Sequence, residues 1–194
     1  MKTAMVTAPT TECLTLDEAK AQVRVDHDSE DALILDLLTA AREHVEALTN
    51  RKLLTQTHDV WFGGFDGDDE IEIPFGTLQQ VTEFAYTGSD GTVTTWTESG
   101  GNLSYASTVR AHVRAGDLNE RGCIELAYSQ LWPITTLKTL DPIRVRFVCG
   151  YGDTRDKVPR TLRQAMLLWL EDQYIGTDRT AQVTNLIQHY RLPW

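Results

Sequence analysis

Apolar residues recur at a helical spacing as far as Leu48 and at a strand spacing from Thr55 onward, so the chain reads as a mixed α+β protein. The helical stretch opens on Thr15-Leu16-Asp17-Glu18, a Ser/Thr-x-x-Glu capping box in which the Thr15 and Glu18 side chains can each satisfy an orphan amide of the other. This predicts a short helix to about Val23 or Arg24. A second helix follows Asp26-His27-Asp28-Ser29-Glu30-Asp31, whose carboxylates suit the positive end of a helix dipole, and its apolar face carries Leu33, Ile34, Leu37, Leu38, Ala41, Val45 and Leu48. It ends near Thr49-Asn50, where Arg51 and Lys52 place positive charge at the negative end.

From Thr55 to Phe62, β-branched and aromatic residues lead to Gly63-Gly64, which predicts a strand. Further strands are expected at residues 70–73, closed by Pro74, at 80–86, and, after a turn at Gly88-Ser89-Asp90-Gly91, at 92–97, together forming a β-meander. Ser99-Gly100-Gly101-Asn102 reads as a loop, and residues 103–140 mix short strand-like pieces, such as 123–128, with polar turns. Ile143, Val145, Phe147 and Cys149 alternate with Arg144 and Arg146, the pattern of a half-buried strand. Gly150-Tyr151-Gly152-Asp153 breaks it. Val158-Pro159 then opens a long helix striped with Leu162, Ala165, Met166, Trp169 and Leu170, and after Ile175-Gly176-Thr177 a short helical stretch covers 183–187.

At 194 residues the chain is long enough to bury most of its apolar surface. Cys13, Cys123 and Cys149 are widely spaced and odd in number, the pattern of reduced thiols in a protein made in a cytosol rather than of a disulfide scaffold or zinc site. Residues 1–12 hold no apolar signal core, and the run Ala165-Met166-Leu167-Leu168-Trp169-Leu170 is too short to span a bilayer. Eighteen basic against 28 acidic residues, a formal charge of −10, oppose tight binding to phosphate backbones, while leaving room for a surface past which DNA slides.

Phosphate-cradling glycine motifs and a Gly-x-Ser-x-Gly elbow are absent from the sequence, and His27, His44, His58, His112 and His189 stand apart without the i, i+4 pairing of a zinc protease. No cofactor, metal or catalytic residue is expected. The acidic clusters 26–31 and Asp66-Gly67-Asp68-Asp69-Glu70 read as helix capping and a solvated hairpin turn, with a bound cation as the alternative. Trp61, Phe84, Tyr86, Trp96 and Phe147 fall on strands and suit core packing better than base stacking. Arg144 and Arg146, with Arg160 and Arg163 on the next helix, are the nearest approach to a basic patch; exposed charges or inter-subunit ion pairs suit them better than DNA contact. The terminal Tyr190, Arg191, Leu192, Pro193 and Trp194 combine aromatics, an Arg and a stiffened backbone, which suits docking on a partner or neighbouring subunit, against packing on the protein's own surface.

Leu14-Thr15-Leu16-Asp17-Glu18-Ala19-Lys20 with Val23-Arg24-Val25-Asp26, then Asp31-Ala32-Leu33-Ile34 and residues 40–46, resembles the opening of the head-tail connector (adaptor) proteins of long-tailed phages and gene transfer agents. The likeness continues through Leu54-Thr55-Gln56-Thr57, Ile73-Pro74, Val145-Arg146-Phe147, Gly150-Tyr151-Gly152, Val158-Pro159 and Tyr190-Arg191, spanning nearly the whole chain. It implies a helical connector core, here an N-terminal helix pair in 1–61 and a strand, C-terminal helices and docking peptide in 141–194, with an inserted antiparallel β-lobe at 62–140. It also implies a structural virion protein that is not an enzyme, made in the bacterial cytoplasm and located at the capsid vertex or neck. About twelve copies would form a ring between the portal protein and the next connector, stopper or tail-terminator protein, around a channel through which DNA passes without sequence-specific binding. The alternative is a monomeric DNA-packaging or tail-completion accessory protein.

Overall fold

The computed structural model describes residues 1–65, 69–116 and 120–193 and is α+β. It divides into two compact units, one built from residues 1–8 and 56–150 and the other from 9–55 and 151–194.

The second unit is helical. Helix α1 (Leu16–Val23) starts with both halves of the capping box formed: the Glu18 amide donates to Thr15 Oγ1 at 3.2 Å and the Thr15 amide to Glu18 Oε2 at 2.9 Å. Helix α2 (Asp31–Thr49) has no side-chain cap. The carboxylates before it are instead drawn to Lys20, whose Nζ lies 2.7 Å from Asp28 and 2.8 Å from Asp31, so part of the acidic run serves an ion pair with α1 rather than the helix end. Helix α3 (Arg160–Ile175) begins after Pro159 and ends at Gly176, whose φ of +80° gives the left-handed cap that glycine adopts without strain. Helix α4 (Thr180–Ile187) follows. Ile34, Leu38, Ala41 and Val45 of α2 pack with Leu162, Ala165, Met166 and Leu170 of α3, and Val183 and Ile187 of α4 join the same cluster. Trp169, expected in that stripe, is half-buried and stacks on His44 with ring centroids 4.9 Å apart.

Among the described residues the first unit is one nine-stranded antiparallel sheet. Its strands are β1 (Lys2–Thr7), β2 (Gln56–Phe62), β3 (Glu70–Glu72), β4 (Leu78–Thr87), β5 (Val93–Ser99), β6 (Asn102–Tyr105), β7 (Thr108–Arg114), β8 (Cys123–Leu126) and β9 (Ile143–Cys149), in the order β1-β2-β9-β4-β5-β6-β7-β8-β3. From β4 to β8 the sheet is a meander, but of the meander expected over residues 55–97 only the β4–β5 hairpin forms, because β2 pairs with β1 and β9. Strand β3 breaks that order by pairing at the edge with β8, and β9 enters between β2 and β4 with Gln56 opposite Cys149 and Phe62 opposite Ile143. The alternation expected along β9 holds: Ile143, Val145, Phe147 and Cys149 are buried and the residues between them half-buried. They share a core with Val60, Phe84, Trp96, Leu103 and Ile124. Because β1, β2 and β9 supply one end of this sheet, the β unit is larger than the lobe at 62–140 that the sequence suggests. The stretch 103–140, read as short pieces among turns, supplies most of β6 and all of β7 and β8.

Candidate docking site and the neutralised charges

The terminal peptide is built onto the end of the helical unit. After α4 a single 3-10 turn (Gln188–Tyr190) redirects the chain. The Leu192 amide then donates to the Thr49 carbonyl at 3.0 Å, and Leu192 itself is buried. Asn50, in the left-handed region at φ 54°, ends α2 and turns the chain into Arg51, whose Nε donates to the Tyr190 carbonyl at 2.6 Å. Tyr190 packs against the helical core, whereas Arg191 and Pro193 are exposed. Trp194 lies outside the described residues. Residues 190 and 192 are thus anchors on the protein's own surface, and Arg191 and Pro193 are the exposed positions of the peptide.

Beside this lies a buried ionic cluster. Arg42 is bonded through Nε to Glu12 at 2.8 Å and lies 3.6 Å from Glu46, one turn along α2. Glu46 also accepts from Lys52 Nζ at 3.2 Å and from the Leu53 amide at 3.0 Å. Burial, reinforced by Glu12 and Glu46, pushes the neighbouring Cys13 thiol up to about 12, which removes it as a nucleophile.

Arg144 and Arg146, the strand half of the nearest approach to a basic patch, are neutralised within the sheet. Arg146 holds the buried Asp59 through two bonds of 2.7 and 2.8 Å, and Arg144 lies 3.7 Å from Asp59 and is bonded to Glu83. Cross-strand register explains this, since Asp59 stands opposite Arg146 and Ala85, two residues from Glu83, stands opposite Arg144. Further along the sheet Glu70 faces Glu125, a like-charge pair offset by Arg114, which lies 3.5 and 3.9 Å from them and 3.1 Å from Glu120.

Among the described residues no group of three or more His, Cys, Asp or Glu is placed to hold a metal ion. Part of the second acidic cluster, residues 66–68, lies outside the described residues. Glu30 of the first accepts from the Tyr174 hydroxyl. Of the strand aromatics, Phe84, Trp96 and Phe147 are buried as expected, and Lys2 sits 4.9 Å over the ring of Trp61. Trp132, which no pattern in the sequence marks, stacks on Phe65 at 5.1 Å and on Trp96 at 6.0 Å from a segment without regular structure.

The chain pairs the charged groups named above among its own strands and helices. It belongs to the phage gp6-like head-tail connector protein family, which matches residues 13–114. The fold is similar to that of a chain in the virion of a native gene transfer agent particle, at 22% identity, covering 100% of this chain and 97% of that one with a TM-score of 0.78. Chains from the neck of an empty gene transfer agent particle computed with C6 symmetry, and from the neck of a native one computed with C12 symmetry, match at the same identity and coverage, with TM-scores of 0.77 and 0.71. No curated protein matches in sequence. Among the described residues no helix is long and apolar enough to cross a membrane.

Proposed function

We propose that this chain is a structural head-tail connector, without enzymatic activity, that assembles as a ring of about twelve copies in the neck of a phage or gene-transfer-agent particle. In this reading the helical unit is the connector core, seated on the portal protein, and the opposite face receives the next connector, stopper or tail-terminator protein. The observation that carries the reading is that family membership and full-length fold similarity coincide: the family match runs through both helices of the N-terminal pair into β7, and the likeness to neck chains covers the β unit as well. C12 symmetry in the neck that holds one such chain supports the copy number.

The electrostatics are compatible with a channel wall. Acidic residues outnumber basic ones in each of the two units, so neither offers phosphate backbones a cationic grip, and DNA would pass without sequence-specific binding. In this reading the terminal peptide, in which Arg191 and Pro193 are exposed, docks on the portal or a neighbouring subunit.

Light scattering of the purified chain with and without the portal protein of the same particle tests the reading, together with electron microscopy of the mixture. A closed ring on the portal is expected. A chain that stays monomeric and never joins the portal would instead be a packaging or tail-completion accessory.

A further inference from the structure

The β unit displays large apolar side chains on a segment that folding alone does not require to be apolar. Residues 127–142, between β8 and β9, contain no strand, yet the segment is tied down: the Ser89 amide donates to Thr136 at 2.8 Å, the Lys138 amide to Thr87 at 3.0 Å, the Thr87 amide to Pro142 at 2.8 Å, and Arg110 Nη1 to Gln130 at 2.8 Å. Its inward side chains, Trp132 and Leu137, pack against the sheet core. Its outward ones are Tyr128, Leu131, Ile134 and Leu140, which are 97%, 70%, 94% and 75% exposed. Leu131 and Ile134, with Tyr105, rim a cleft of about 350 Å³ whose floor includes the buried Trp96. Four exposed apolar side chains on one immobilised strap form a contiguous-sequence patch of the kind that marks a protein contact.

The strap also differs in charge from the rest of the chain. From residue 127 to 140 there is no Asp or Glu, in a protein that has 28 of them. Two copies carrying −10 each repel one another, and they approach at least cost through a surface free of carboxylates. A ring contact joins two different surfaces of one chain, and the same unit carries a second exposed apolar pair, Met5 and Val6, on its edge strand β1.

We propose that the strap at 127–140 is the surface through which the β unit seats against a second copy of this chain; the proposal rests on the ring reading and names its contact. An aspartate there would bury an unpaired charge beside a like-charged neighbour.

The experiment is assembly of the full chain on its portal, followed by light scattering and microscopy, for the wild type, Ile134→Asp, Leu131→Asp and the conservative Ile134→Leu, each with its melting curve. Wild type and Ile134→Leu should form rings, while the two aspartate variants melt as the wild type does and lose roughly tenfold or more of the ring fraction. A photocrosslinker at position 134 in the wild-type background, which needs no aspartate variant to fold, should give a product of twice the chain mass. Rings formed equally well by Ile134→Asp, or crosslinks only to a different polypeptide, overturn the proposal and leave the ring reading standing. A wild type that never forms a ring removes both.

Discussion

Arg51 Nε and the Tyr190 carbonyl meet at 2.6 Å, so a residue just past the second helix holds the last turn of the chain, 139 positions away. Arg51 is 1% exposed, which makes that bond expensive to lose, because water cannot replace the missing donor. Replacing Arg51 with Met should lower the stability of the helical unit by about 1.5–3 kcal/mol in urea unfolding. It should also open residues 188–193 to carboxypeptidase under native conditions, whereas an unchanged digestion pattern would show that the packing of Tyr190 and Leu192 suffices to anchor the peptide.

Asp59 is the centre of the sheet's charge network, buried with two bonds from Arg146 and with Arg144 at 3.7 Å. Asp59→Asn keeps the shape and removes the charge. Both arginine side chains are about one-third exposed and can recover some hydration, so the expected loss is about 2 kcal/mol, below that for a fully buried pair. Glu83→Gln, at a more exposed carboxylate, should cost less than about 1 kcal/mol. Chemical denaturation of the two variants side by side checks the order.

The helical half was largely legible in the sequence because its signals are local. The capping box needs only Thr15 and Glu18, three residues apart, and both bonds form. Sheet order is different in kind: period-two alternation marked β9 and its buried face, but nothing in residues 143–149 says that they lie between β2 and β4. Without that register the pairing of Asp59 with Arg146 is invisible, and the two arginines look like a basic patch. Strand β1 has no signal in the sequence because it is mostly exposed and has no alternating apolar face. In the terminal peptide, composition drew attention to all five residues, while the division into anchors and exposed positions depends on Thr49 and Arg51, which lie far away in sequence.

Glu18 gives the helical unit a pH dependence. Partial burial pushes its carboxyl up, but the hydrogen bonds from Thr15 and the charge of Arg155 outweigh this and hold it below the usual carboxylate range. A carboxyl depressed in the folded state adds stability above its unfolded value and loses it as the pH falls through the folded one. Between about pH 5 and pH 3 the wild type should therefore lose more stability than Glu18→Gln, which has no proton to gain. Parallel slopes for the two proteins in that window would contradict the assignment.

Cys13, Cys123 and Cys149 are all buried, and burial raises the thiols of Cys13 and Cys123, Cys13 to about 12. The thiolate is the reactive form, so the native protein should give almost no colour with a disulfide reagent at pH 8, and the unfolded protein should titrate all three. Rapid labelling of one thiol in the native state would reveal local opening of the element that holds it.

The two kinds of residue in the terminal peptide should separate in function. Leu192 is buried and its amide is bonded to Thr49, so Leu192→Ala should cost about 2 kcal/mol, and deleting residues 190–194 should destabilise the fold as well as remove a contact. Arg191 is exposed, and Arg191→Ala should stay within about 0.5 kcal/mol of the wild type. If the peptide docks on the portal or a neighbouring subunit, Arg191→Ala should nevertheless weaken incorporation into particles, which quantitative blotting of purified particles measures. Normal incorporation of Arg191→Ala beside a defect in Leu192→Ala would assign the peptide to holding its own unit together, with no docking role.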